Sequence, residues 1–112
     1  MNKKIRTFKT GATRNLEGEK LDYEAFLSST ALKRFATYMH KNRHLEDGTL
    51  RDGDNWKKGF PIESFMKSGW RHFFTWWDNH RNPTTDEEIE EALCGLMFNT
   101  MGYLREYLKK KK

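Results

Sequence analysis

The sequence predicts an all-α protein, a small helical bundle whose core is completed by oligomerisation. Three stretches repeat apolar residues at helical spacing behind residues that favour a helix start. No stretch shows the strict alternation of a half-buried strand. Of the 112 residues, 36% are hydrophobic, which is a small share for the core of one domain, and 14% are aromatic, so the core residues are bulky. These proportions favour a folded chain that associates with copies of itself.

The chain divides into three segments by composition. Residues 1–20 are basic and polar and contain Gly11 and Gly18, so we expect a basic N-terminal arm or extended segment, and no packed element. Residues 21–108 form the predicted helical domain, and residues 109–112 are four lysines typical of a solvated tail. The formal charge of +5 falls close to neutral without that tail, so no specific nucleic-acid partner is expected.

The first helix of the domain is predicted to run from Ser28 to about Arg43. Ser28 and the residues after it are good N-cap types, and apolar residues follow at positions 32, 35, 36 and 39. Residues 44–60 contain three glycines and alternating charges without helical periodicity, and they predict a long loop. Loops of this length inside small domains are frequently functional.

Two longer helices follow the loop. Pro61 suits a first helical position, and an apolar stripe continues behind it to Trp77 before Asn82-Pro83 ends the helix. Thr85 then provides an N-cap with Glu88 three residues later, and apolar residues carry this last helix to about residue 108. We expect the two apolar stripes to pack against each other, with most of the tryptophans and phenylalanines of the second helix in the core.

The start of the last helix carries five carboxylates in the six positions 86–91. On a helical wheel Glu88, Glu91, Gly95, Asn99 and Gly102 fall within about 80°, beside the apolar face. Two carboxylates at i and i+3 project together and can share Mg²⁺, with glycine leaving space for a ligand. The same residues also suit the positive end of the helix dipole, and Glu88 fits a capping box, so both readings stay open.

His72 and Trp56 each have two possible roles, one in ligand binding and one in packing. His72 would approach Glu88 and Glu91 if the two long helices pack antiparallel, but a single histidine beside aromatic residues is commonly part of a core. Trp56 stands in the polar loop DGDNWKKGF, where it would either cover a nucleobase or anchor the loop. Glu87 and Glu90 are expected to face solvent.

The localisation expected from the sequence is cytoplasmic. Cys94 is the single cysteine, and the N-terminus MNKKIRTFKT lacks the apolar region of a signal peptide. No apolar run approaches the roughly 20 residues needed to cross a bilayer, so no membrane partner is expected.

Six segments in order resemble a known enzyme family: TGATRN, EGEKLDYEAFLSS, RFATYMHKNR, DGDNWKKGFP, KSGWRHFFTWW and EEALCGLMFN. The last, with the residues before it, is similar to the metal-binding helix of MazG-like nucleoside triphosphate pyrophosphohydrolases. The ordered set resembles the phage dATP/dGTP diphosphohydrolase (MazZ-type) branch of that family and covers most of the chain. Glu88 and Glu91 fall on the two acidic positions of the family's ExxD motif.

This resemblance implies a Mg²⁺-dependent enzyme that hydrolyses purine deoxynucleoside triphosphates to the monophosphate and pyrophosphate. It implies a small MazG-like bundle, a dimer or tetramer, acting in a phage-infected or prophage-bearing bacterial host. Glu88 and Glu91 would be the catalytic residues and metal ligands. The substrate-binding residues would be Arg14, Asn55, Trp56, Lys58, Arg71, His72 and Asn99.

One departure from the family pattern concerns the preceding helix. MazG proteins usually carry a second acidic pair there, whereas this chain reads SGWRHFFTWWDNH and has His72 in the corresponding stripe. The alternative is therefore a non-catalytic phage protein that binds nucleotide or nucleic acid.

Overall fold

The computed structural model describes residues 5–7, 9, 11, 13–15 and 20–111. Its order is β1 Ile5–Thr7, β2 Thr13–Asn15, α1 Tyr23–Phe26, α2 Ser29–Lys41, a 3₁₀ turn Asn55–Lys58, α3 Ile62–Arg81 and α4 Asp86–Lys110. The described chain is mostly helical, which confirms the helical fold class at this level. None of the helices described here combines the length and apolar character required to cross a membrane.

The N-terminal segment contains a short hairpin that the sequence did not predict. β1 and β2 pair antiparallel, with Ile5 opposite Asn15 and Thr7 opposite Thr13. Gly11 lies between them with a φ of 88°, a conformation that glycine adopts without steric cost. Pairing of these strands was not predicted, because three-residue strands are too short to show alternation.

Helix starts follow the predicted capping residues. Ser28 Oγ accepts from the backbone amide of Ala31 at 3.1 Å, and α2 begins at the next residue. Thr85 Oγ1 accepts from the amide of Glu88 at 3.2 Å at the start of α4. α3 begins directly after Pro61, as predicted. The short helix α1, capped by Asp22, was not predicted, because four residues show no periodicity.

The contact between α3 and α4 runs along a line of small residues. A side chain built on Gly95 would overlap the imidazole of His72, and one on Gly102 would overlap the ring of Phe65. Between these two points, a Cβ on Gly69 would lie 3.5 Å from Cβ of Asn99. The helices are therefore antiparallel, and each glycine of α4 receives a ring from α3.

This contact differs from the predicted one. Gly95, Asn99 and Gly102 of the α4 stripe, which was expected to border the core, are themselves buried, together with Ala92 and Cys94. The larger apolar stripes are exposed instead, with Trp70 at 65%, Phe73 at 42% and Trp77 at 50% of their surface. Because α3 and α4 approach each other closely at the glycines, the bulky side chains lie outside the line of contact. The prediction that Trp70, Phe73 and Trp77 are core residues was therefore wrong for a single chain.

Candidate functional site

A polar cleft of about 700 Å³ opens where the end of α2 and the middle of α3 meet the start of α4. α2 contributes Tyr38, Lys41 and Asn42 at or just after its last turns, and α3 contributes His72, Thr75 and Asn79. Thr85 and the residues Glu87, Glu88, Glu91 and Ala92 complete the lining. The cleft is therefore lined by both predicted metal ligands, Glu88 and Glu91, and by the predicted His72.

Glu88 serves the helix start and the cleft with different atoms. Its backbone amide donates to Thr85, which is the capping interaction. Its carboxylate accepts a hydrogen bond from the hydroxyl of Thr84 through Oε2 and remains exposed on the cleft. The capping and ligand-binding readings of Glu88 are thus compatible.

Glu91 is held by two cations of α2. Lys41 Nζ donates to Glu91 Oε1, and Arg34 Nη2 lies 3.6 Å from Oε2. The hydrogen bond from Lys41 lowers the pKa of the Glu91 carboxyl, and the same bond raises the pKa of Lys41. Glu91 is therefore ionised and paired at neutral pH.

One oxygen of Glu91 has no hydrogen-bond partner. Oε2 is a buried atom, and the side chain as a whole is 25% exposed. A buried carboxylate oxygen without a donor costs free energy, which a cation or a bound donor would recover. Functional sites are a common place for such atoms.

Glu90 is exposed, as expected, but it also forms an ion pair with α2. Arg34 Nε donates to Glu90 Oε1 at 2.6 Å, and this hydrogen bond raises the pKa of the guanidinium. Glu90 thereby fixes the arginine that also lies beside Glu91. This ion pair was not predicted, because the sequence does not show which helix faces the acidic turn.

His72 lies with its ring against the backbone of Gly95. Burial lowers the pKa of its imidazole, and the nearby charge of Arg71 lowers it further, so the ring is neutral at pH 7. The space at Gly95 that was expected to admit a ligand is filled by this ring, which corrects that expectation. The partly buried His72 contributes to the cleft as a neutral group.

The cleft lining carries three carboxylates against one ammonium group. A polyanion such as a triphosphate would be repelled by this net negative charge unless cations entered with it. Mg²⁺ is bound in many phosphate enzymes by one or two carboxylates, waters and the substrate itself. In the part of the chain that the structure describes, no three histidine, cysteine or acidic side chains are grouped to cage an ion. The carboxylate oxygens of Glu88 and Glu91 nevertheless have the donor chemistry of a cation site of this open type.

Asn99 lies away from the cleft, although it belongs to the same predicted stripe. It is buried, and its Nδ2 donates to the backbone oxygen of Gly95 at 2.7 Å. Its other surroundings are Gly69 and the apolar groove described below. Asn99 therefore belongs to the contact between α3 and α4.

The loop residues expected to bind base and phosphate lie at the other end of α4. Trp56 packs edge-to-face on Phe98 at 5.9 Å between ring centroids, and the Arg105 guanidinium lies 5.6 Å from the Trp56 ring. Along the helix axis, Phe98 lies about 10 Å and Arg105 about 21 Å from Glu91. Trp56 therefore anchors the loop to α4, and its neighbours Asn55 and Lys58 are carried on the same 3₁₀ turn away from the cleft.

Two other predicted residues are also outside the cleft lining. Arg71 is exposed on α3, next to His72. Arg14 belongs to β2, where it pairs with Arg6, and its side chain lies outside the described residues.

Sequence reasoning missed the α2 side of the site. Arg34, Tyr38 and Lys41 share one face at i, i+4 and i+7, and this face meets Glu90 and Glu91. The spacing was present in the sequence, but only the apolar positions of this helix were considered. The signal that would have found it is the pair Arg34 and Lys41, which lie seven positions apart on one face of the helix.

A second cavity is an apolar groove of about 580 Å³ along the other side of the α3–α4 contact. Its walls are mostly aromatic and aliphatic: Phe65, Met66, Gly69, Trp70, Phe73, Leu96, Asn99, Thr100, Tyr103, Leu104 and Tyr107. Trp70 is 65% and Leu104 53% exposed. Apolar surface of this extent is typical of a contact with another protein chain.

Comparisons with protein-family models, with curated proteins and with solved structures found no match to this chain.

Proposed function

We propose that the protein hydrolyses purine deoxynucleoside triphosphates, dATP or dGTP, to the monophosphate and pyrophosphate in a Mg²⁺-dependent reaction. The cleft carries the proposal, because it brings Glu88 and the partly unpartnered Glu91 together beside neutral His72. The resemblance of six ordered segments to MazG-like enzymes supplies the reaction and the substrate class. The proposed setting is the cytoplasm of a phage-infected or prophage-bearing bacterium.

Each lining residue has a role suited to its chemistry. Glu88 and Glu91 would hold Mg²⁺, which when bound supplies charge neutralisation for phosphate oxygens and favours ionisation of a water. His72, Thr75 and Asn79 present neutral hydrogen-bonding groups that suit sugar or base. Asn55, Trp56, Lys58 and Asn99 are left out of the proposed pocket because of where they lie.

The decisive experiment is product analysis with dATP, dGTP and the pyrimidine dNTPs in the presence of Mg²⁺. Wild type is expected to release pyrophosphate from the purine nucleotides, and Glu91→Gln to lose roughly 100-fold in rate. Asp86→Asn is the matched control, since Asp86 is an exposed carboxylate of the same first turn that does not line the cleft. Equal turnover by wild type and Glu91→Gln would remove the proposed site.

The alternative is a non-catalytic protein that binds nucleotide or nucleic acid. One observation favours it: Glu91 is already neutralised by Lys41 and Arg34, as in a purely structural ion-pair network. Binding through basic residues would weaken steeply with salt and would not depend on Mg²⁺. A salt titration of nucleotide binding with and without Mg²⁺ separates the two functions.

We also propose that the protein is a homo-oligomer in which a second copy covers the apolar groove. The chain exposes 9561 Å², whereas a compact monomer of its mass would expose about 6,500 Å². Permanent subunit interfaces bury about 2,000–5,000 Å² in total, or roughly 1,000–2,500 Å² per chain, so an excess of roughly 3,000 Å² leaves room for one. A second α3–α4 pair on the groove would give a four-helix arrangement with Trp70 and Leu104 inside.

A further inference from the structure

The ammonium group of Lys41 lies at the proposed metal site of the cleft. Lys41 is the last residue of α2, and its ammonium group donates to Oε1 of Glu91, which leaves Oε2 without a hydrogen-bond partner. Lys41 also lines the cleft in which Glu87 and Glu88 lie. The ammonium group thus occupies Oε1 of Glu91, whereas Oε2 is buried beside Arg34.

This ion pair is easily opened. The Lys41 side chain is 62% exposed, and exposed pairs on long flexible side chains contribute little to stability. Its position at the helix end leaves the ammonium group free to turn towards solvent or towards a ligand in the cleft.

Arg34 is different because a second carboxylate restrains it. Its Nε lies 2.6 Å from Glu90 Oε1, and its Nη2 lies 3.6 Å from Glu91 Oε2. A planar guanidinium held in this way stays in place when Lys41 moves. Arg34 therefore orients Glu91, and Lys41 is the exchangeable partner.

We propose that Lys41 is a cation exchanger for the cleft: a divalent cation displaces it from Glu91, and the released ammonium then binds the phosphates of the incoming nucleotide. This inference rests on the proposed function for its second step and on the Lys41–Glu91 pair alone for its first. In the empty cleft the lysine limits the repulsion between Glu91 and its acidic neighbours. In the loaded cleft it adds a positive charge beside the triphosphate.

The proposal predicts opposite effects of one substitution on two ligands. Lys41→Met removes the competitor, so Mg²⁺ alone should bind about fivefold more tightly. The same change removes a phosphate contact, so α,β-methylene dATP in saturating Mg²⁺ should bind roughly tenfold more weakly. Lys41→Arg should restore nucleotide binding towards wild type, because it keeps the charge. Lys33→Met is the matched control, on the same helix and outside the cleft lining.

Isothermal titration calorimetry of the full chain with each ligand measures both effects, and thermal unfolding of each variant checks that it is folded. Tighter Mg²⁺ binding with weaker analogue binding confirms the exchange. Equal affinities in wild type and Lys41→Met, or weaker binding of both ligands, overturn it while leaving the proposed hydrolysis intact if wild type still turns over. Tighter Mg²⁺ binding with no analogue binding by either protein would confirm the displacement and overturn the phosphate contact together with the proposed substrate.

Discussion

The imidazole of His72 lies where any side chain at Gly95 would have to stand. Phe65 has the same relationship with Gly102, two helical turns further along α4. These two ring-on-glycine contacts set the separation of α3 and α4. They also fix the wall of the cleft, because His72 is one of its lining residues.

Alanine at these glycines should destabilise the fold. Gly95→Ala or Gly102→Ala forces a ring out of place, at a cost of about 2 kcal/mol in the free energy of unfolding. Gly69→Ala is the matched control: its new Cβ would meet Asn99 at an ordinary 3.5 Å, so the better helix propensity should stabilise by up to about 1 kcal/mol. Urea denaturation of the three variants measures both signs, and a stabilising Gly95→Ala would contradict the contact.

The stability of the protein should fall on the acid side partly through His72. Its pKa in the folded state lies below the ordinary value of 6.5, because burial disfavours the charged ring. The unfolded chain therefore binds more protons in this window, so stability present above pH 6.5 is lost as the pH falls towards the folded-state pKa. His72→Gln should flatten the dependence of unfolding free energy on pH between 8 and 5, measured by urea denaturation, whereas an unchanged slope would argue against a buried neutral imidazole.

A second pH window should appear at lower pH and belongs to Glu91. Lys41 lowers the pKa of this carboxyl below its ordinary 4.5, so the stability it contributes is present above pH 4.5 and is lost as the pH falls through the folded-state value. Lys41→Met should move the titration of Glu91 upwards. Carbon-detected NMR titration of the glutamate carboxyl groups follows this shift directly, and an unmoved Glu91 resonance would show that the ion pair is absent in solution.

A charge placed in the apolar groove should dissociate the oligomer. Phe73 lines the groove, and Phe74 is the adjacent, more exposed residue of the same helix that does not. Phe73→Glu should therefore lower the solution mass to that of one chain, while Phe74→Glu should leave it unchanged. Light scattering after size exclusion measures both masses, and a monomeric wild type would refute the proposed interface.

Loss of the Trp56 ring should loosen the loop without affecting the cleft. Trp56→Ala removes packing on Phe98 and should lower the free energy of unfolding by about 2 kcal/mol, whereas Trp56→Phe should retain most of it. The affinity for a non-hydrolysable dATP analogue should be the same in both variants, since the ring lies far from Glu91. A selective loss of nucleotide affinity in Trp56→Ala would show that the loop is part of the nucleotide-binding site.

The sequence predicted the three longer helices well because their ends are set locally. Ser28, Pro61 and Thr85 act within one turn of themselves, so their effect is visible without the rest of the chain. The faces that pack were not predictable in the same way. Apolar periodicity favoured Phe73 as core, but two glycines on the partner helix drew Phe65 and His72 inward instead.

The site was predicted in part for the same reason. Glu88 and Glu91 share a face by spacing alone, and antiparallel packing brings His72 to them. Lys41 and Arg34 lie 50 or more residues away along the chain, so only the tertiary fold reveals that they reach the acidic turn. The loop residues lie elsewhere because Trp56 packs against Phe98 and not near the carboxylates.

Residue 88 takes part both in the capping of α4, through its backbone amide, and in the lining of the cleft, through its side chain. The cap uses the backbone amide of Glu88, whereas its side chain makes a separate hydrogen bond with Thr84 that a glutamine oxygen can also accept. Selection can therefore exchange the side chain at this position to suit a different ligand without disturbing helix nucleation. Glu88→Gln should accordingly fold as wild type does, which makes the mouth of the cleft open to evolutionary and engineered change.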